Sequence, residues 1–123
     1  MTVTEAAQKA GMSQEKISSL IFSRMIEPEV KGRTGFRSGA LLGPKNLREL
    51  ELIKKLSCVG VKKEVIRGLL KLLSASVVNK DWWREEDNFV VIFNASWFVT
   101  DNPYSKVNID RMKEQGTALV VRL

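Results

Sequence analysis

The chain has 123 residues, 44% of them hydrophobic, which suits one compact unit or one small domain with an appendage and argues against wholesale disorder. It holds no histidine and a single cysteine, Cys58. Histidine-based acid–base catalysis, a Ser–His–Asp triad and an intrachain disulfide are therefore excluded, and a zinc or iron site would have a poor ligand set. The net charge is +6, unevenly placed: residues 1–72 carry 14 Lys and Arg against 7 Asp and Glu, residues 73–123 carry 6 against 7. A basic first part suits a polyanion, because each cation that meets a phosphate releases condensed counterions. No apolar run approaches the roughly 20 residues of a membrane span. The N-terminus, with Glu5, lacks a signal-peptide pattern. The expected location is the cytoplasm of a prokaryote or one of its viruses, with no membrane partner.

Thr2-Val3-Thr4-Glu5 reads as a capping box that opens a first helix. Val3, Ala6, Ala7 and Ala10 give it a small apolar face, and Gly11 ends it. Ser13 caps a second helix whose inner stripe is Ile17, Leu20 and Ile21. Two short helices across a tight turn predict a helix-turn-helix, the second helix being free to enter a major groove. Met25 to Val30 is extended, because the residue before Pro28 avoids the helical region. Lys31 to Arg37 is basic and glycine-rich and predicts a wing of two short strands, and residues 39–43 read as loop. Pro44 stands at the first position of a third helix with Leu47, Leu50, Ile53 and Leu56 on one face. After Gly60, the residues Val61, Val65, Ile66, Leu69, Leu70 and Leu73 stripe a fourth.

Residues 75–87 read as a connector that includes Trp82 and Trp83. Phe89–Phe93 and Trp97–Val99 then predict a hairpin turning at 94–96. A short helix ending at Gly116 and a last strand over residues 118–123 complete a β–β–α–β unit. The expected fold is mainly α with a small β component: a winged helix-turn-helix over 1–74, four helices plus wing, and a small α+β unit over 88–123 (hairpin, helix, strand).

Thr2 to Ser13, Arg24-Met25-Ile26-Glu27-Pro28, Gly35-Phe36-Arg37, and the pair Leu47–Ile53 with Leu56 to Ile66 occur in an order that resembles the mercury-resistance-regulator (MerR) family of transcription factors. The resemblance covers about residues 2–72. It implies a winged helix-turn-helix and binding of double-stranded DNA. Where that family offers an arginine and tyrosines in the second helix, this chain has Ser18, Ser19 and Leu20. Where many members continue into a long dimerising helix, it has no heptad pattern, so the promoter-untwisting mechanism is not carried over.

Gln14 and Lys16 stand where base edges would be reached; Gln suits adenine and Lys suits guanine. Ser13, Ser18, Ser19 and Lys31 are further candidates, and Arg33 and Arg37 are the strongest phosphate or minor-groove contacts. The bland alternative is a solvated polar turn and a solvated loop. Phe36 reads as a packing residue of the wing. Cys58 reads as a buried structural thiol. Trp82 and Trp83 read as filling of a seam or a dimer interface. Asp81, Glu85, Glu86 and Asp87 read as an acidic solvated loop. No cofactor, metal or catalytic residue is expected, and nothing in the sequence names a small-molecule effector. The function expected is a sequence-specific, dimeric transcriptional regulator, the dimer being formed through residues 88–123, whose edge strands need a partner or cover. Two alternatives stay open: an excisionase-like architectural DNA-binding protein, and a protein-interaction adaptor with a degenerate helix-turn-helix.

Overall fold

The computed structural model describes residues 1–30, 40–75, 82–84, 89–93, 96–116 and 118–123. Among these residues the fold is mixed α and β, with five helices and one three-stranded antiparallel sheet. The chain divides into two compact units, Met1–Cys58 and Val59–Leu123.

In the first unit, α1 (Val3–Ala10) packs on α2 (Gln14–Phe22) and on α3 (Pro44–Cys58). The expected capping box starts α1: Thr2 Oγ1 accepts from the Glu5 N–H at 3.2 Å, and Glu5 Oε1 accepts from the Thr2 N–H at 3.4 Å. The Thr2 N–H and the Thr2 hydroxyl, which donates to the same Glu5 Oε1 at 3.2 Å, hold the Glu5 carboxyl below its ordinary pKa. Gly11 ends the helix in the left-handed region at φ 66. Lys54 of α3 donates to the Ala10 carbonyl at 3.4 Å, so a cation from a neighbouring helix meets the negative end of α1. A Cβ on Gly11 would sit 2.7 Å from that ammonium.

The helices bury one apolar stripe each, Val3, Ala6 and Ala10 on α1, Ile17, Leu20 and Ile21 on α2, and Leu50, Ile53 and Leu56 on α3. One expectation is corrected here. Cys58 is exposed, not buried. It falls about 200° around the axis from Leu56 and so leaves the buried stripe.

The polar centre of this unit is Asn46, in the first turn of α3 and 4% exposed. Its Oδ1 accepts from the N–H groups of Glu29 at 3.2 Å and Gly43 at 3.0 Å. Its Nδ2 donates to the Glu27 carbonyl at 2.8 Å and to Glu49 Oε1 at 3.1 Å. One amide thus ties the extended Glu27–Glu29 segment, the approach to α3 and α3 itself. Beyond that knot, Val30 and Leu41 form an antiparallel bridge, with N–H···O contacts of 3.1 and 2.9 Å in the two directions. The wing expected between them, with Phe36, lies outside the described residues.

In the second unit, α4 (Lys63–Ala75) follows Gly60, which is left-handed at φ 86. Of its expected stripe, Ile66, Leu69, Leu70 and Leu73 are buried, and Val61 and Val65 are half-buried. Trp82 is buried too, and its Nε1 has no hydrogen-bond partner among the described residues. Trp83 is half-buried under the Arg84 guanidinium, 4.4 Å from its ring centre. The acidic residues at 81 and 85–87 lie outside the described residues.

The β–β–α–β order is as expected: β1 (Phe89–Phe93), β2 (Ser96–Thr100), α5 (Lys106–Gln115) and β3 (Leu119–Arg122). The sheet order is β2-β1-β3, and both outer strands run antiparallel to β1. β2 and β3 are therefore parallel to each other, and α5 is the crossover that such a pair requires. Arg111 of α5 places its guanidinium 4.3 Å from the centre of the Phe98 ring, and Phe98 lies 5.7 Å from Phe93. Val90 and Val91 point to opposite faces and both are fully buried, so the central strand is covered on both sides.

Two outcomes follow from the Asn46 knot. Asn46→Ala leaves two N–H groups, a carbonyl and a carboxyl without their partner, and is expected to cost about 2–4 kcal/mol in urea unfolding. Glu49, also buried, has its pKa raised by loss of hydration, against the pull of the Lys45 charge and the Asn46 hydrogen bond. Between the ordinary and the raised value the folded state holds a proton that the unfolded state has released. Stability from this group is therefore full below the ordinary value and falls as pH rises through the raised one. Glu49→Gln keeps the acceptor for Asn46 and removes the titration. The wild type minus Glu49→Gln stability difference should decrease with rising pH across that window and then level off.

Candidate nucleic-acid interface

The residues singled out on α2 divide between two sides of one short helix. Ile17, Leu20 and Ile21 face inward, so Glu15, Ser19 and Phe22 stand on the opposite, exposed side, with Lys16 exposed on the flank next to Ser19. Gln14 and Ser18 are half-buried on one flank. Ser13 is the N-cap, its Oγ accepting from the Lys16 N–H at 3.1 Å. That contact leaves the Ser13 hydroxyl proton available to a ligand. The Ser18 hydroxyl donates at 2.8 Å to the Gln14 carbonyl, one turn back in its own helix. Its proton is thus committed inside the helix, which leaves Lys16 and Ser19 as the exposed polar pair.

Both ends of α2 are fixed. At its start lies an open depression of about 410 Å³ lined by residues of α1 and of the turn into α2, among them Thr4, Gln8, Ser13 and Gln14. At its end, the Met25 N–H meets the Leu20 carbonyl at 3.0 Å and the Arg24 N–H meets that of Ile21 at 3.1 Å. This pair of bonds is a Schellman motif, and Met25 and Leu20 are both buried beside it. The left-handed position is held by Arg24, at φ 61, where glycine would carry no Cβ strain. Arg24 is exposed. Sequence pattern did not single it out, because a left-handed arginine has no signature of its own. Phe22, 68% exposed on the outward side, was missed for the same reason: the inward stripe fixes the helix without accounting for it.

The electrostatics of the first unit concentrate in one stretch. Residues 1–58 hold 10 Lys and Arg against 6 Asp and Glu, a balance of +4. Lys31, Arg33 and Arg37 supply three of those charges with no acidic residue between them. These three lie outside the described residues, but the bridge Val30–Leu41 marks where their segment leaves and rejoins the unit. On α2, Lys16 is offset by its neighbour Glu15. Among the described residues no group of three or more His, Cys, Asp or Glu is placed to hold a metal ion. None of the described helices is long and apolar enough to cross a membrane.

Comparison with protein-family models, curated proteins and solved structures finds no match to this chain.

The two ends of α2 respond to substitution in opposite directions. Ser13→Ala is expected to lose about 1 kcal/mol and Ser13→Asp to keep the cap. Arg24→Gly is expected to gain about 1 kcal/mol by relieving the left-handed strain. Thermal unfolding of the three variants checks both signs.

Proposed function

We propose that this chain binds double-stranded DNA through a winged helix-turn-helix and acts as a dimeric transcriptional regulator. The observation that carries the reading is the combination at α2. A short helix, capped by Ser13 and closed by Arg24, keeps Lys16, Ser19 and Phe22 exposed. The same unit holds the segment that concentrates its excess positive charge.

The roles divide by chemistry. Lys16 and Gln14 suit base edges, as hydrogen-bonding side chains at the first turn of a recognition helix do. The Phe22 ring suits apolar contact with a thymine methyl. Ser13 and Ser19 suit phosphate oxygens. Lys31, Arg33 and Arg37 supply the phosphate attraction that the nearly neutral face of α2 lacks, and Arg24 adds a cation at its far end. The MerR-like order of residues supports the same assignment. A protein-interaction adaptor is favoured by one specific feature, the Glu15–Lys16 cancellation among the exposed residues of α2.

Selection of genomic fragments by the purified chain, followed by electrophoretic shifts at several salt concentrations, separates these readings. Arg37→Ala is expected to weaken binding on every duplex and to lower the logarithmic salt slope by about one unit. Lys16→Ala is expected to cost about 1–3 kcal/mol on the selected site and little on random duplex. No shift on genomic or random duplex at low salt would sink the DNA reading and leave the adaptor.

A further inference from the structure

We propose that β2 is the self-association edge of this protein, and that two copies join β2 to β2 in antiparallel fashion to make one continuous sheet. The inference rests on the dimeric part of the reading above and not on DNA binding.

The register decides which groups are free to pair. Phe93 is opposite Ser96, and only two residues separate them. A pair that closes so short a connection exchanges both of its backbone hydrogen bonds, and such pairs alternate along an antiparallel ladder. Phe93–Ser96, Val91–Phe98 and Phe89–Thr100 are therefore the hydrogen-bonded pairs. Trp97 and Val99, in the intervening pairs, turn their N–H and C=O groups away from β1. Because the sheet order is β2-β1-β3, those groups lie on an outer edge. Among the described residues no backbone hydrogen bond reaches them.

The strand itself carries none of the residues that normally blunt an edge. Ser96-Trp97-Phe98-Val99-Thr100 contains no charge, proline or glycine, and its five consecutive pairs with β1 run without a bulge. Trp97, Phe98 and Val99 each keep part of their surface exposed. The far end of the strand is held in place: Asn108 of α5 donates to Thr100 Oγ1 at 3.1 Å and to the Asn102 carbonyl at 2.8 Å. The other outer strand, β3, differs in carrying Arg122.

A second copy is the occupant that this edge fits. Turned about a two-fold axis at Phe98, β2 sets Trp97 against Val99 of the second copy and Val99 against its Trp97. In both pairs the outward N–H and C=O groups coincide, so each pair closes with both hydrogen bonds. On one face Trp and Val pack across the junction, and on the other Phe98 meets Phe98. The paired strands bring no charge of their own, and the exposed Arg111 guanidinium stays over each Phe98 ring beside the junction. The second unit opposes its own copy only weakly, since residues 59–123 hold 10 Lys and Arg against 8 Asp and Glu.

The same parity provides the test. The Val99 N–H is not used inside the chain, so Val99→Pro spares the ladder with β1 while removing an outward donor from each copy. Sedimentation velocity without DNA at micromolar concentrations should show a dimer for the wild type. Far-UV circular dichroism should show Val99→Pro folded, with its dimer dissociation constant raised about 30-fold or more. A wild type that stays monomeric overturns the proposal, and with it the dimeric part of the functional reading, while the DNA shift stands separately. A wild-type dimer with Val99→Pro equally dimeric overturns this edge alone. Should Val99→Pro fail to fold, amide exchange on the wild type decides. Protection of the Trp97 and Val99 amides that rises with protein concentration supports β2 pairing, and protection independent of concentration overturns it.

Discussion

The first unit depends on the buried amide of Asn46. An extended segment, a loop and the start of a helix must meet where little water reaches, and each brings backbone groups that need partners. An asparagine side chain offers both donors and acceptor at one point, and here all of them are used, toward Glu27, Glu29, Gly43 and Glu49. A Cβ at Gly43 would meet the Glu29 carboxylate, the far end of an exposed side chain that can turn aside. The chain that leaves at Val30 and returns at Leu41 starts from a fixed base. The basic residues between those points owe their attachment to that base.

The exposed side of α2 depends in turn on how its ends are satisfied. Nine residues are too few for a helix to be stable by propensity alone. Its inward stripe, its serine cap and its Schellman closure supply what propensity does not. The last of these places a charged residue in a left-handed conformation at the helix end. Strain tolerated at an exposed cation beside a candidate binding face fits a trade of stability for function. The committed hydroxyl of Ser18 works the other way, since a side chain bonded to its own helix has less to offer a phosphate.

The small sheet has a different logic. Its central strand is buried on both faces, its crossover helix lays Arg111 over the Phe98 ring of the hairpin strand, and that strand presents an uncharged edge with half-exposed aromatic and β-branched side chains. A three-stranded sheet leaves two edges open by construction, and the sequence blunts them unequally.

Much of the described fold was legible in the residues. Thr2, Gly11, Ser13 and Gly116 act within a turn of where they sit, and the stripes of α1 through α4 follow from a 3.6-residue period. The hairpin, helix and final strand were legible because their periods change at turn residues. Less was legible where the outcome depends on distant partners. Asn46 and Glu49 look like surface positions on an amphipathic helix, and only the approach of residues 27–29 and 43 makes them buried. Cys58 looks like an interior thiol until the rotation of α3 carries it outward. Ser18 and Ser19 look equivalent until one of them faces the flank. By itself, then, the sequence determined, to within a residue or two, where the described helices and strands lie, and where the charge lies, because caps, periods and charges are local. Only the tertiary structure decided which polar groups are buried together, which side of α2 is open and which strands lie at the edges of the sheet, because those depend on contacts between segments far apart in the chain.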